Sequence, residues 1–576
     1  MMKAKILIIS ILFIFIGFIA SAQSHNEQVT VEGSYRPQIK RSERLVKSPE
    51  KPDNEFNIPD YKTDTKDFNY SYNMDMETMS AMTYKAEYGV ESKNNFLKAG
   101  IGTHASPVFL FRHYSDLTKD MSLGVGVKHY SSWVGVKDYK KSSFMNNDFN
   151  VMTVNKFRGG QLRSFVDYSY DMYHLRAYEG NNPNGRNIHS FNVGTKWLSN
   201  GSSYRDLYSE FGGDYRATWI MGATSEHHIN ANAHLAYSDN WFGGKNLDDL
   251  QTGAADVELS YNNVFQGHLL VAINPYLTLN GDFYHIHAGV RFDMKTGDNI
   301  GLYPDVWGSV FVLDNILEFY AKLGGRSKIN TFADIVEENP FVTTNFTNFS
   351  EFGYEKTKID FQGGVRTKLT EDIDAHVGVR YRNIKNGVFY VPDFDYYATY
   401  SEDETVYHLQ SFDVVFNDYR VVNILADVRW KAMNKLNLAA ELSVNKYMIK
   451  SVSFVESNLT PHGSYDVKDT YYWRPWYKPE YTMTVRADYQ FDELWKFNAS
   501  MSILGKRWAI PADDLDNNIN VKLKAAYDFQ VGADYQLMED LVAFGEIHNL
   551  FHQKYQLYYN YPSIGFEIFA GIKYRF

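Results

Sequence analysis

The chain has 576 residues, a formal net charge of −11 and no cysteine. The missing cysteine excludes disulfides and thiolate metal sites, and the acidic balance leaves no basic surplus to meet nucleic-acid phosphates. Aromatic residues make up 16% of the sequence, 44 of them tyrosine, yet the mean hydropathy is only −0.41, so no long apolar helical span is hidden in the average.

Residues 1–22 read as a secretory signal. Lys3 and Lys5 give a positive start, Ile6 to Ile19 is an apolar run, and Ala20-Ser21-Ala22 is a small-x-small cleavage site. The run is short for a comfortable membrane span. No cysteine follows the cleavage site, so a lipoprotein anchor is excluded. Residues 23–94 differ in character, with Pro37, Pro49, Pro52 and Pro59 and the charge-rich run KRSERLVKSPEKPDNE. Apart from a short strand in VTVEGSY (Val29–Tyr35), they lack the periodicity of a packed core. They are expected to form a short periplasmic or luminal segment. The sequence leaves open whether that segment is a flexible leader, a luminal plug or a docking element for a periplasmic partner.

From Asn95 onward, apolar residues recur at every second position. In Met121–Lys128 one face carries Met121, Leu123, Val125 and Val127, the other Ser122, Gly124, Gly126 and Lys128. Ile229–Ser238 sets Ile229, Ala231, Ala233, Leu235 and Tyr237 against Asn230, Asn232, His234 and Ser238. Tyr284–Phe292 sets Tyr284, Ile286, Ala288, Val290 and Phe292 against His285, His287, Gly289 and Arg291. The pattern recurs in Ile359–Leu369, Ala375–Arg382, Leu436–Asn445, Tyr481–Phe491 and Tyr527–Leu537, and ends in SIGFEIFAGIKYRF (Ser563–Phe576). Period two over about ten residues fits a tilted strand with one face in lipid and one in a polar lumen. Such alternation also explains the low hydropathy, and interfacial girdles explain the tyrosine.

The connections alternate as well. Tight polar turns at 115–120, 158–160, 370–372, 492–494 and 538–540 exchange with long loops at 132–145, 173–186, 327–353, 386–414, 450–477 and 508–520. Short periplasmic turns and long outer loops are the asymmetry of an outer-membrane barrel. The fold class is therefore all-β: an antiparallel transmembrane β-barrel of about 22 strands, residues 95–576, with long extracellular loops. The long connection at 239–250 breaks the alternation locally.

The last hairpin contains IHNLFHQKY (Ile547–Tyr555) followed by the closing strand. With Asn549, Leu550, Phe551 and Tyr555 it resembles the C-terminal end of TonB-dependent outer-membrane receptors. The resemblance is specific over 541–576 and architectural over 95–540. It implies ligand reception and transport through a barrel, energised from the periplasm. That family fills its lumen with an N-terminal plug usually much longer than the roughly seventy residues at 23–94, and no TonB box stands out.

His285 and His287, with Arg291 on the same face, have the spacing of a partial metal or anion site, or of a scattered polar lining. His227 and His228 are adjacent, so a strand turns them to opposite faces beside an outer loop, where they read as surface. Lys128, Arg163, Asp167, Asp171, Arg291, Lys358, Asp360, Arg366, Arg380, Glu441, Arg486, Asp488 and Asp534 are read as inward-facing. Their mixed signs point to internal ion pairs, or to contacts with a luminal segment, rather than a one-sign selective pore. Thr331-Phe-Ala-Asp334 followed by IVEENP predicts a capped helical turn, ended before Pro340, as a lid or rigid cover. The aromatic runs at 393–400 and 471–477 read either as sugar-stacking platforms or as girdle.

No G-x-S-x-G, H-E-x-x-H or local triad signature is present. The reading is a non-enzymatic barrel with no catalytic, metal or cofactor residues assigned and no cofactor required, in the outer membrane of a Gram-negative cell. Its partners are outer-membrane lipid, a periplasmic energising protein or a lid or plug partner, and a small-molecule, glycan or peptide ligand, with no nucleic acid. A passive pore and a structural or docking barrel remain the alternatives.

Overall fold

The computed structural model describes residues 94–134, 142–175, 177–178, 185–201, 205–221, 223–242, 251–263, 266–281, 283–312, 316–344, 352–392, 408–409, 411–449, 473–511 and 520–576. The signal, the 23–93 stretch and the 393–400 aromatic run lie outside the described residues.

Among the described residues, 22 strands form one antiparallel sheet. The sheet closes on itself: the first strand, Asn95–Gly102, pairs with the last, Glu567–Arg575, as well as with the second, Ser106–Asp116. An even strand number returns the chain to the side on which it began, which is the side of the tight turns. The expected class and strand number are both observed.

Inside–outside parity is set by the alternation. In the strand Gly267–Gly281, Leu269 and Ile273 face outward and are more than a third exposed, while Leu270 and Ala272 between them are buried inward. The outward apolar series runs from Leu269 to Leu279. Ten residues at about 3.4 Å each, tilted by about 40°, give an apolar band about 25 Å tall, the height of a hydrocarbon layer.

The seam of the barrel depends on two glycines. Gly100 and Gly571 stand directly opposite each other on the lumen face, and a Cβ on Gly571 would collide with the Ala99 carbonyl oxygen. The space they leave is taken by the Phe544 ring. Lys98 and Lys573 sit over it at 4.4 and 5.1 Å and bond Glu546 (2.8 Å) and Asp534 (2.7 Å) respectively.

Two strands run well past the membrane. Ile373–Pro392 and Phe412–Met433 pair with their outer neighbours only as far as Lys385 and Tyr419. Above that point they pair with each other and no longer with the neighbouring wall strands among the described residues, beyond a bulge between Ile384 and Gly387 in which Asn386 has a positive φ of 58°. Both faces of this upper hairpin are buried: Phe389, Val391 and Val415 on one, Tyr390, Phe412 and Val414 on the other. A hairpin buried on both faces has left the wall, and this one leans into the mouth of the barrel.

Candidate functional site

The long loops at the outer end build a cap. The segment between the strands Leu317–Ile329 and Tyr354–Thr370 forms the helix Phe332–Glu338. Thr331 is its N-cap, accepting from the Asp334 N–H at 3.1 Å, and Pro340 follows its end, as the sequence predicts. Phe332, Ala333, Ile335 and Val336 are buried.

This segment leaves the ring between the thirteenth and fourteenth barrel strands but is tied to the sixth, seventh and eighth. Glu226 of the strand Ser225–Asp239 is 1% exposed. It accepts the Phe332 N–H at 2.7 Å, the Ala333 N–H at 2.8 Å and Asn262 Nδ2 at 2.6 Å. A buried carboxylate thus satisfies the free N–H groups that every helix start presents. Arg216 reaches Asp334 at 3.4 Å, and Lys328 reaches it at 3.0 Å. Burial alone would push the Asp334 carboxyl up, but the Lys328 and Arg216 cations hold it below the usual carboxylate range. Arg186 of the strand Gly185–Ser199 donates to the carbonyls of Pro340 and Val342.

A ring of 22 strands is on the order of 40 Å across, and strands six apart stand roughly 30 Å apart. The bonds from Glu226 and Arg186 to residues 332–342 therefore cross the mouth. From a third direction, Tyr558, in the connection before the closing strand, donates to the Glu338 carbonyl at 2.6 Å, and Tyr561 stacks on Phe341 at 3.8 Å. The leaning hairpin joins through Thr343 N–H to the Phe412 carbonyl at 2.6 Å and through Tyr390 Oη to Glu338 at 3.0 Å. Inward side chains at the tops of the wall strands, Phe144, Tyr173, Ile188 and Ile220, complete one apolar core with the helix and hairpin. The axis of the outer mouth is thus filled by the chain's own packed side chains.

The 473–477 part of the second aromatic run lies in the same cap. Trp473 and Trp476 are 7% and 3% exposed, 4.7 Å apart, and packed against Phe389 and Ile510. They hold the leaning hairpin and are closed to a stacking ligand.

Beneath the cap lies a cavity of about 150 Å³, lined on the cap side by Glu338, Tyr477 and Tyr558. On its wall one register row crosses five neighbouring strands: Asp427, Glu441, Thr484, Ser502 and Asp528. Asp427 is held by His376 Nδ1 at 2.6 Å, and Asp528 accepts from Gln530 Nε2 at 2.7 Å and the Asn549 N–H at 3.0 Å. Glu441, Thr484 and Ser502 face the space without a partner among the described residues. They can accept hydrogen bonds from hydroxyl or ammonium groups.

Lower in the lumen, the expected ion pairs are present. Arg380 forks onto Asp360 at 2.7 and 2.5 Å, Arg366 meets Glu318 at 3.3 Å, and Lys128 meets Asp148 at 3.5 Å. Lys496 meets Asp488 at 3.8 Å. Asp167 and Asp171 accept from Asn150 and Asn146. Arg163 and Arg486 have no partner among the described residues.

Two placements differ from the sequence expectation. Lys358 is not inward: a bulge between Thr357 and Ile359 turns it to the exposed outer face, beside Lys385, which pairs with Asp418. His228 is not surface: it is 6% exposed on the lumen side and bonds Asn230 and Ser260, while His227 stays outside against Tyr215. The His285–His287–Arg291 trio does not converge. His285 bonds Asn280 at 3.0 Å, His287 bonds Asp305 at 3.0 Å, and Arg291 bridges Glu258 and Asp293 at 2.8 Å each.

In the terminal hairpin, Asn549 is a structural pivot. It adopts φ 45°, donates from Nδ2 to the carbonyls of Gln553 and Ile564, and accepts the Gln553 N–H. Phe551 is 71% exposed, and Tyr555 is buried.

Fold and site together define a large membrane-spanning barrel with a built-in outer cap. Solved structures with this fold include the siderophore receptor PirA from Acinetobacter baumannii, with TM-score 0.60, 9% identity and coverage of 84% of this chain and 81% of that one. The ferric-catecholate import receptor Fiu from Escherichia coli K12 matches with TM-score 0.58, 10% identity and coverage of 84% and 82%. The copper transporter OprC matches with TM-score 0.55, 11% identity and coverage of 85% and 82%. At these identities the likeness establishes the fold alone, the large closed antiparallel barrel that these structures share. No protein-family model and no curated protein matches the sequence.

Proposed function

We propose that the chain is a receptor-transporter of a Gram-negative outer membrane, one that admits a polar ligand from outside when the cap opens and passes it through the lumen. The observation that carries this reading is the cap. Loops from three sides of the ring converge on a packed core above a cavity with a row of polar side chains on its wall, and they are latched to the wall by the buried carboxylate of Glu226. A barrel that only stiffened a membrane or held a partner has no use for a latched closure over its mouth. The shared fold with siderophore receptors and a copper transporter supports the same direction. On this reading the energising partner is a periplasmic protein of the TonB kind.

The test is conductance of the full chain in a planar bilayer beside the Glu226→Ala variant. The reading expects a closed wild type and open events in the variant. Steady wild-type conductance makes a passive pore the better description. Equal closure in both, with no ligand flux into liposomes, favours a docking barrel.

A further inference from the structure

At the outer end of the seam, a group of polar side chains serves neither the cap nor the cavity beneath it. Glu567 is fully buried on the lumen face of the closing strand, and neither carboxylate oxygen has a hydrogen-bond partner among the described residues. Among the described residues His104 Nδ1, Ser106 Oγ and His548 Nδ1 are also buried without one. The register gathers them. Ser106 stands opposite Gly102, Gly102 opposite Phe569, and Glu567 opposite His548, while His104 lies in the turn joining the first two strands. Gly102 opens the space, since a Cβ there would stand 2.8 Å from Glu567 Oε1.

A buried carboxylate without a donor is costly, and such orphans in native proteins mark an ion or a water. Every orphan here can offer a lone pair: two carboxylate oxygens, a hydroxyl and imidazole nitrogens. With neutral histidines the group carries one negative charge, so its natural guest is a cation. His104 Nδ1 is 3.4 Å from Glu567 Oε1 without hydrogen-bond geometry. Two ligands at neighbouring corners of a tetrahedral shell with bonds of about 2.0–2.1 Å stand about 3.3–3.4 Å apart. Mixed imidazole and oxygen ligands suit divalent first-row ions.

We propose that His104, Glu567 and Ser106 bind one divalent metal ion of the zinc kind at the outer end of the barrel seam. No three His, Asp or Glu side chains among the described residues stand close enough to hold a metal by themselves. His548 therefore lies outside the ligand set, water completes the shell, and the ion is exchangeable. Bound there, it clips the first hairpin to the closing strand. It also steadies Phe569, whose ring lies 6.2 Å from Tyr130, itself 5.4 Å from Phe144 of the cap.

The experiment uses the full chain in detergent, stripped with chelator and titrated calorimetrically with Zn²⁺ alone, then crystallised for anomalous diffraction at the zinc edge. One ion per chain is expected between His104 and Glu567. Glu567→Gln and His104→Gln should each weaken binding at least tenfold, Ser106→Ala less, and the control His287→Gln not at all. A heated-versus-unheated gel confirms that each variant folds. Water alone at the site, no bound ion, or binding that survives both Glu567→Gln and His104→Gln overturns the proposal.

Discussion

The wall and the cap use the same inward-facing positions in opposite ways. In mid-lumen these positions carry charges that neutralise one another across neighbouring strands, as in Arg380–Asp360 and Arg366–Glu318. At the outer end they carry Phe144, Tyr173, Ile188 and Ile220, which pack against loops reaching across the mouth. The wall is held by a continuous backbone ladder, which no single side chain dominates. The cap is held by side chains and a handful of bonds, chiefly those of Glu226, Arg186 and Tyr558. A closed ladder opens only as a whole, whereas a side-chain latch can open by itself.

That contrast can be broken or sharpened by substitution. The largest effect is expected at the seam. Gly571→Val drives a branched side chain into the Ala99 carbonyl, and the heat-modifiable band of the closed barrel should disappear. Phe332→Ala, at a side chain with no exposure, should cost the cap about 3–5 kcal/mol and leave the band intact. Faster hydrogen exchange confined to residues 330–344 would show it. Glu226→Ala strands two helix N–H groups and Asn262, at roughly 2–4 kcal/mol, with the same local signature.

Acid should act on the cap before the wall loses a strand. The folded-state Asp334 carboxyl titrates below its ordinary value of 3.8, so its contribution is complete above that value and is lost as pH falls through the depressed one. Exchange at 330–344 should rise over that window, and Asp334→Asn should reduce that rise. The smallest effect is expected from Lys496→Ala. Its pair with Asp488 is 3.8 Å long and half exposed, worth less than about 1 kcal/mol, and it should leave melting and exchange unchanged.

The wall was legible because its signal is local. Period two fixes which residues of Tyr284–Phe292 meet lipid, and Thr331 with Asp334 marks a helix start, whatever the rest of the chain does. The cap was not legible, because nothing in the sequence near Phe332 names Glu226 as its acceptor across the mouth. The aromatic run ending in Trp473 and Trp476 has the composition of a girdle or a ligand platform, and only the leaning hairpin turns it into core. Lys358 escaped its parity because a single bulge residue reverses the face of a strand. One signal was available: Phe144, Ile188 and Ile220 interrupt the polar lumen face near the outer ends of their strands, where an open pore would be polar.

The central claim is that the cap itself closes the outer mouth, and the most direct test is planar-bilayer conductance of a chain lacking residues 23–94, with and without Glu226→Ala. The account predicts that the deletion alone stays closed and that adding Glu226→Ala opens it. A deletion that conducts steadily with Glu226 in place would contradict it.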